Sequence, residues 1–446
     1  MKRLLLNFLG AVLVLTLLGP GAGKAQTSTA GDIAITHAKI FTLAGPPIED
    51  GTVVIHQGKI AAVGAGVPIP AGAQVIDAKG LQVYPGLFDP VTQMGLSEIG
   101  AVNATVDTTE TGSFNPDVTA ATAILPSSAH IPVTRASGIT EVIAAPASGG
   151  FDSRGASNLV GGQASAIHLS GWTAEEMLIN KHAAMVVDWP GIETRSFDFS
   201  TFSIKEKPFA DAKKEYDKQV NELADYVEQA RHYAQALQSP GTGFQRDVKF
   251  EAMGPVVRGE MPLLIFADRA RQIRDAVEFC DKQKLKIILA GGTEAWKEKD
   301  LLRSKSVPVI LRPTLGEPSE EDDAYDRLLT QPEELRAAGI KIAFGSFDNS
   351  FARRLGQNAA NAIAHGLPYE EGLKAVTLYP AQMFGLDAQL GTVETGKTAN
   401  LIVTNGDPLE VTTDIRYLLI KGQLTSTDNK QKALYEKYLS RPKAAR

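Results

Sequence analysis

The sequence predicts an α/β protein in which the two ends of the chain form a small sheet domain around a larger body of alternating strands and helices. Three observations carry this prediction. Short β-rich runs crowd the N-terminal part, similar runs recur near the C-terminus, and apolar runs alternate with helical patterns between them.

The first group covers residues 33–43, 51–56, 59–63 and 73–77. Gly45-Pro46-Pro47, Gln57-Gly58 and the glycine-rich stretch 64–72 separate these runs, which is the turn vocabulary of an antiparallel sheet. The second group covers residues 391–404 and 415–422, with Gly406-Asp407-Pro408 as the turn. Neither group buries enough apolar surface to stand alone, so pairing them into one sheet domain satisfies both. In the middle, the runs 263–267, 286–290, 307–311 and 340–345 are separated by helical or loop sequence. Residues 269–282 form one such helix, in which Ile273, Val277 and Cys280 recur at helical spacing. The length of this alternation fits a closed (β/α) barrel better than a small open sheet, although periodicity alone does not separate the two. Residues 209–237 read as a long helix, with Tyr216, Val220, Leu223, Val227, Ala230, Ala234 and Leu237 on one face.

Composition narrows the function. The chain has 446 residues, 43% hydrophobic and 22% charged, enough for a substantial core. Residues 1–25 read as a secretory signal peptide: Lys2 and Arg3, then an apolar run over 4–18, then the small-residue site Gly23-Lys24-Ala25. The expectation is an exported protein, periplasmic or secreted, with no membrane association after cleavage. Cleavage removes three basic and no acidic residues, so the charge moves from −6 to −9, which argues against a nucleic-acid partner. Cys280 is the only cysteine, so no internal disulfide can form; its helical position marks it as a core thiol.

Two distant motifs carry a family resemblance. Val83-Tyr84-Pro85-Gly86-Leu87-Phe88-Asp89 resembles the lead-in to the first barrel strand of the metal-dependent amidohydrolase superfamily, especially relatives of imidazolonepropionase and prolidase-type enzymes. Leu390-Gly391-Thr392-Val393-Glu394-Thr395-Gly396-Lys397-Thr398-Ala399-Asn400-Leu401-Ile402-Val403 is similar to their return from barrel to sheet domain. The resemblance implies a TIM-type (β/α)8 barrel over residues 85–385. It also implies a β-sandwich domain made from 26–84 and 386–430, leaving 431–446 as a terminal helix or tail. It further implies hydrolysis of carbon–nitrogen bonds in amides or dipeptides, a small-molecule amide or short peptide-like ligand, and a homo-oligomer.

Such chemistry uses a divalent metal to activate water, held by imidazole and oxygen ligands at the C-terminal mouth of the barrel. The resemblance places a His-x-His pair two and four residues after Asp89, where this chain has Val91 and Gln93. It places further histidines at Phe266 and Gly291. Valine, phenylalanine and glycine side chains cannot ligate a metal, and glutamine offers only a neutral amide oxygen. Asp348 alone stands where the family has its strand-eight aspartate, and it is the candidate catalytic residue. The fourth-strand ligand has no secure position; Glu176 and Lys181 lie nearby.

Around Asp348 the sequence places Gln93, Asp268, Arg269, Glu294 and Arg312 after successive strands, and His168 at a strand end, as candidate substrate-binding residues. No cofactor is expected unless an oxygen-rich site built from Gln93, Glu294 and Asp348 holds a metal such as zinc. Three functions stay open: a conventional metal-dependent amidohydrolase, a variant hydrolase, and a non-catalytic ligand-binding or assembly-forming barrel.

Overall fold

The structure is a computed structural model that describes residues 31–146, 158–198, 201–239, 241 and 244–442. Residues 1–25, read above as a signal peptide, lie outside the described residues.

The chain opens with β1 (Ile33–Ile40), β2 (Ile48–His56), β3 (Lys59–Gly64), β4 (Gln74–Asp77) and β5 (Gln82–Pro85). The barrel strands are β6 (Leu87–Thr92), β7 (Ile139–Ala144), β8 (Val160–His168) and β9 (Leu178–Asp188). After a hairpin of β10 (Arg195–Asp198) and β11 (Ser203–Glu206), the barrel resumes with β12 (Leu263–Ala267), β13 (Ile287–Gly291), β14 (Val309–Leu311) and β15 (Ile342–Phe344). The chain then returns to the first sheet through β16 (Leu401–Thr404), β17 (Ile415–Ile420) and β18 (Gln423–Thr425).

The two ends do share one sheet, in the order β18-β17-β16-β5-β1-β2-β3, with β4 also on β1. The seam is the antiparallel pairing of β16 with β5, Leu401 opposite Pro85. The run 391–404 is a strand only in its last four residues, because Gly391 and Gly396 take positive φ (88° and 92°) and turn the chain before it.

The second sheet runs β15-β14-β13-β12-β9-β8-β7-β6 and is nearly closed. Closure comes through the segment after β15: the Phe347 amide donates to the Val91 carbonyl at 2.8 Å, and Thr92 Oγ1 donates to the Asp348 carbonyl at 2.6 Å. Alternate residues face inward. Phe88, Ile143, Ala164, Ala166, Ala184, Val186, Leu264, Phe266, Ile288, Ala290, Ile310 and Ala343 form one packed cluster in the barrel. Leu263, Ile265 and Ala267 face outward into the cluster under the helices. The helix Phe209–Gln238 contributes Tyr216, Leu223, Val227 and Ala230 to that outer layer. Cys280 joins them, its thiol pushed up to about 12 by burial, as a core thiol should be.

One strand departs from an eightfold β/α repeat. β8 runs antiparallel to both β7 and β9. Only residues 169–177 separate β8 from β9. That is shorter than the dozen or more residues a parallel crossover needs, so the chain reverses instead. The consequence falls on His168: as the last residue of a reversed strand it sits at the base of the barrel, opposite Glu141 at the start of β7, and not at the mouth.

Candidate functional site

The base of the barrel explains both family motifs. Gly86 lies so close to β7 that a Cβ there would stand 1.8 Å from Thr140 Oγ1, which only glycine tolerates. The Asn400 side chain donates to Glu141 Oε2 at 2.8 Å, lies 3.1 Å from His168 Nδ1, and accepts from the Lys421 amide at 2.8 Å. Thr140 Oγ1 also donates to Glu141. Burial pushes the Glu141 carboxyl up to about 8 and the His168 imidazole down to about 3, so both are neutral near pH 7. His168 is therefore part of a joint between barrel and sheet domain, and the expectation that it faces the pocket is corrected by the reversed strand that carries it.

At the mouth, the strand ends bring together most of what the sequence pointed to. Asp268, just after β12, takes a two-pronged ion pair from Arg312, just after β14: Nε lies 3.0 Å from each carboxylate oxygen and Nη2 2.9 Å from Oδ2. Thr293 Oγ1 donates to the same carboxylate at 2.6 Å. Burial pushes the Asp268 carboxyl up, but the Arg312 charge and these hydrogen bonds outweigh it and hold the group below the ordinary aspartate range. The Arg312 guanidinium also lies over the Phe347 ring, 4.6 Å from its centre, and that ring meets Phe266 edge-on at 6.0 Å. Phe347 takes φ 54°, a left-handed conformation costly for a bulky residue, held by its bond to Val91.

The positions that the resemblance assigns to metal ligands therefore do adjoin one another. Val91 and Phe266 are buried in the apolar cluster with Phe347. Gly291 ends β13 beside them, and a Cβ built there would stand 2.7 Å from Asp268 Oδ1. Asp268, held by Arg312, thus occupies the room that a ligating side chain at position 291 would need. A divalent metal of the family type does not fit: Val91, Phe266 and Gly291 offer no donor, Asp268 stands in the room beside Gly291, and Gln93 offers only a neutral amide oxygen. Among the described residues, no group of three or more histidine, cysteine, aspartate or glutamate side chains is arranged to hold a metal.

The remaining candidates divide in two. Asp348 and Arg312 line one cleft of about 340 Å³ together with Ser346, Phe347, Phe351 and Arg354. Asp348 Oδ1 accepts from the Phe351 amide at 2.7 Å, so the carboxylate also caps the turn that follows. Gln93 is buried just past β6. Arg269 and Glu294 belong instead to a loop-binding network. Glu294 Oε2 accepts from the Ala270 amide at 2.7 Å, while Arg269 reaches Glu294 at 3.3 Å and Glu320 at 2.6 Å, and Lys297 reaches Glu294 at 3.0 Å.

Two acids escaped the sequence reading. Asp188 ends β9, the fourth barrel strand, at the place the sequence left open; Glu176 and Lys181 lie toward the other end of that strand. Its burial pushes the carboxyl up to about 8, with Arg312 pulling it back, and Oδ1 has no hydrogen-bond partner. The signal was present as an apolar run, Met185-Val186-Val187, stopped by an aspartate. Asp89 is fully buried; its Oδ1 accepts from the Ser346 amide at 3.0 Å, Oδ2 has no partner, and burial pushes the carboxyl up to about 7.

Comparisons with known proteins agree with this architecture. The sequence profile described as "Amidohydrolase family" matches residues 329–427. The amidohydrolase tasK of Hapsidospora irregularis is 22% identical over 405 residues, which are 81% of this chain; the chain spans 38% of that protein's length. Among solved structures, an amidohydrolase from Thermotoga maritima superposes with a TM-score of 0.74 at 24% identity, covering 88% of this chain and 99% of that one. A prolidase solved with N-methylphosphonate-L-proline gives 0.53 at 17% identity, covering 88% and 99%. An adenosine deaminase from Xanthomonas campestris with bound zinc gives 0.50 at 14% identity, covering 91% and 97%. The chain shares the barrel-and-sheet fold of these solved amidohydrolases, and its described residues present no clear metal-binding cluster.

Proposed function

We propose that this protein is an exported small-ligand-binding barrel, built on a hydrolase fold, that takes an amide or short peptide-like molecule at its mouth without metal-activated water. One observation carries the reading: Asp268, ion-paired with Arg312, stands in the space of a metal ligand at Gly291. The Arg312 guanidinium beside it supplies a fixed positive charge but no ionisable water, so it can orient a ligand carbonyl or carboxylate and cannot generate hydroxide. The cleft beside it suits such a ligand. Arg312 and Arg354 offer donors, Asp348 and Gln357 offer acceptors, and Phe347, Phe351 and Leu315 offer apolar walls. The prolidase bound to a phosphonate of proline supports the peptide-like class. Export rests on the character of residues 1–25.

A metal-free hydrolase is the second reading, favoured by Asp188, whose carboxyl holds its proton up to about pH 8 and so could donate it to a leaving group. One experiment separates these readings from the ordinary enzyme. Protein purified without chelator is assayed for metal content, then titrated with N-acetyl amino acids and dipeptides while product is followed by NMR. Saturable binding with no bound zinc and no product is the expected result. One or two equivalents of zinc would overturn it, and slow metal-free turnover would replace it with the second reading.

A further inference from the structure

The helix Lys430–Leu439 follows β18 and buries no side chain; each of residues 430–442 is exposed. Asn429 caps its start, accepting from the Gln431 and Lys432 amides at 3.0 and 3.1 Å. Even capped, a helix of 10 residues is marginal in water without a surface to lie on. At about 100° per residue, Leu434, Tyr435, Tyr438 and Leu439 share one face, with Lys430 and Lys437 along one edge and Lys432 along the other. These four apolar side chains are 39–70% exposed.

Charge narrows what covers that face. Residues 430–446 carry six basic side chains and one acidic, so the chain's net charge of −6 divides into +5 there and −11 elsewhere. The longest acidic run is Glu320-Glu321-Asp322-Asp323, in the loop after β14, and Glu317 stands just before it. Glu320 pairs with Arg269 and Asp323 with Lys297, whereas Glu317, Glu321 and Asp322 make no ion pair among the described residues. Leu315 and Tyr325 flank these acids and are 72% and 88% exposed. The loop thus offers apolar groups among negative charges, and the helix offers apolar groups between lysines. In one chain the two surfaces stand at opposite ends of the barrel. Ser426, just before the helix, is held by Arg135 at the base, while Glu320 is held by Arg269 at the mouth.

We propose that this helix docks on the acidic loop 315–325 of a second copy of the chain, each copy lending its helix and receiving its neighbour's about a two-fold axis. Two barrels side by side and antiparallel bring the base of one beside the mouth of the other. The apolar face of the helix covers Leu315 and Tyr325, and its lysines meet Glu317, Glu321 and Asp322. Such an interface is small and its ion pairs stay near solvent, so the dimer is weak and screened by salt. Leu315 also lines the Arg312–Asp348 cleft, so the helix of one copy borders the mouth of the other.

The test is sedimentation velocity of the chain without residues 1–25, from about 5 to about 200 μM protein, at about 0.02 M and about 0.5 M salt. A dimer that forms with rising concentration at low salt, and at least about tenfold more weakly at high salt, is the expected result. Lys432→Glu with Lys437→Glu should leave a monomer, and Glu321→Lys with Asp322→Lys should do the same. All four changes together should restore the dimer, because the charges are complementary again. A monomer at every concentration in low salt, a dimer indifferent to salt, a dimer that persists in a chain cut after Asn429, or no restoration by the four changes would overturn the proposal. Binding of a monomeric chain to phosphatidylglycerol vesicles through the same helix would assign it to an anionic membrane surface instead. The salt arm needs no variant, so a poorly folding substitution does not leave the question open.

Discussion

The two ends of the barrel bury ionisable groups in opposite ways. At the base, Glu141, His168 and Asn400 satisfy one another and the Lys421 amide, and the network closes on itself. At the mouth, Asp268 and Arg312 are paired, while Asp188 Oδ1 and Asp89 Oδ2 are left without partners. A closed network fixes geometry and joins two units. An open one leaves buried carboxyl oxygens with no protein donor, and that is what distinguishes the mouth from the structural joint at the base.

Breaking the base should have the largest effect. Asn400→Ala strips His168 and Glu141 of their shared partner, leaving Glu141 only its Thr140 bond, and should cost about 2–4 kcal/mol in urea unfolding, without changing ligand affinity in the protein that remains folded. At the mouth, Arg312→Ala should cost about 1–3 kcal/mol, because it leaves the Asp268 carboxylate half-buried and unpaired. The double variant with Asp268→Ala should recover part of that loss; strict additivity in the thermal melts would mean that the pair does not couple.

The acids sharpen the contrast through pH. The folded pKa of Glu141, about 8, lies above the roughly 4.3 of a free glutamate, so the native state holds a proton that the unfolded chain has released over most of that interval. The stability tied to that proton is full below about pH 4 and is lost as pH rises through 8. Asp89 and Asp188 act in the same direction, lost through about 7 and about 8. Glu141→Gln should therefore be nearly neutral at pH 5 and stabilise by on the order of 2 kcal/mol at pH 9 in chemical denaturation. A variant no more stable at pH 9 than the parent would mean that the fold does not raise the Glu141 carboxyl above the ordinary glutamate range. The smallest stability change belongs to Arg354→Ala, within about 0.5 kcal/mol for a surface cation, while affinity for N-acetyl amino acids should fall several-fold.

Much of the barrel was legible in local pattern. The runs at 263–267, 286–290 and 307–311 carry the strands β12, β13 and β14 because buried parallel strands read as short apolar stretches. The reversed β8 was not legible, since strand direction depends on connection length and partner choice, which alternation does not encode. That one reversal moved His168 from the expected pocket to the base. Arg269 and Glu294 were recognisable as strand-end polar residues, but only their contacts show them tying loops together.

By itself the sequence determined which side chains this protein lacks at the positions that the resemblance assigns to metal ligands. Val91, Phe266 and Gly291 have no metal donor whatever surrounds them, because donor chemistry is a property of the residue. Only the tertiary structure decided what takes the vacant room: Asp268 and Arg312 come from strands 44 residues apart, and their ion pair lies against Gly291 because β12, β13 and β14 lie side by side. Pairing across strands is set by the closure of the barrel, which brings residues distant in sequence within hydrogen-bond reach.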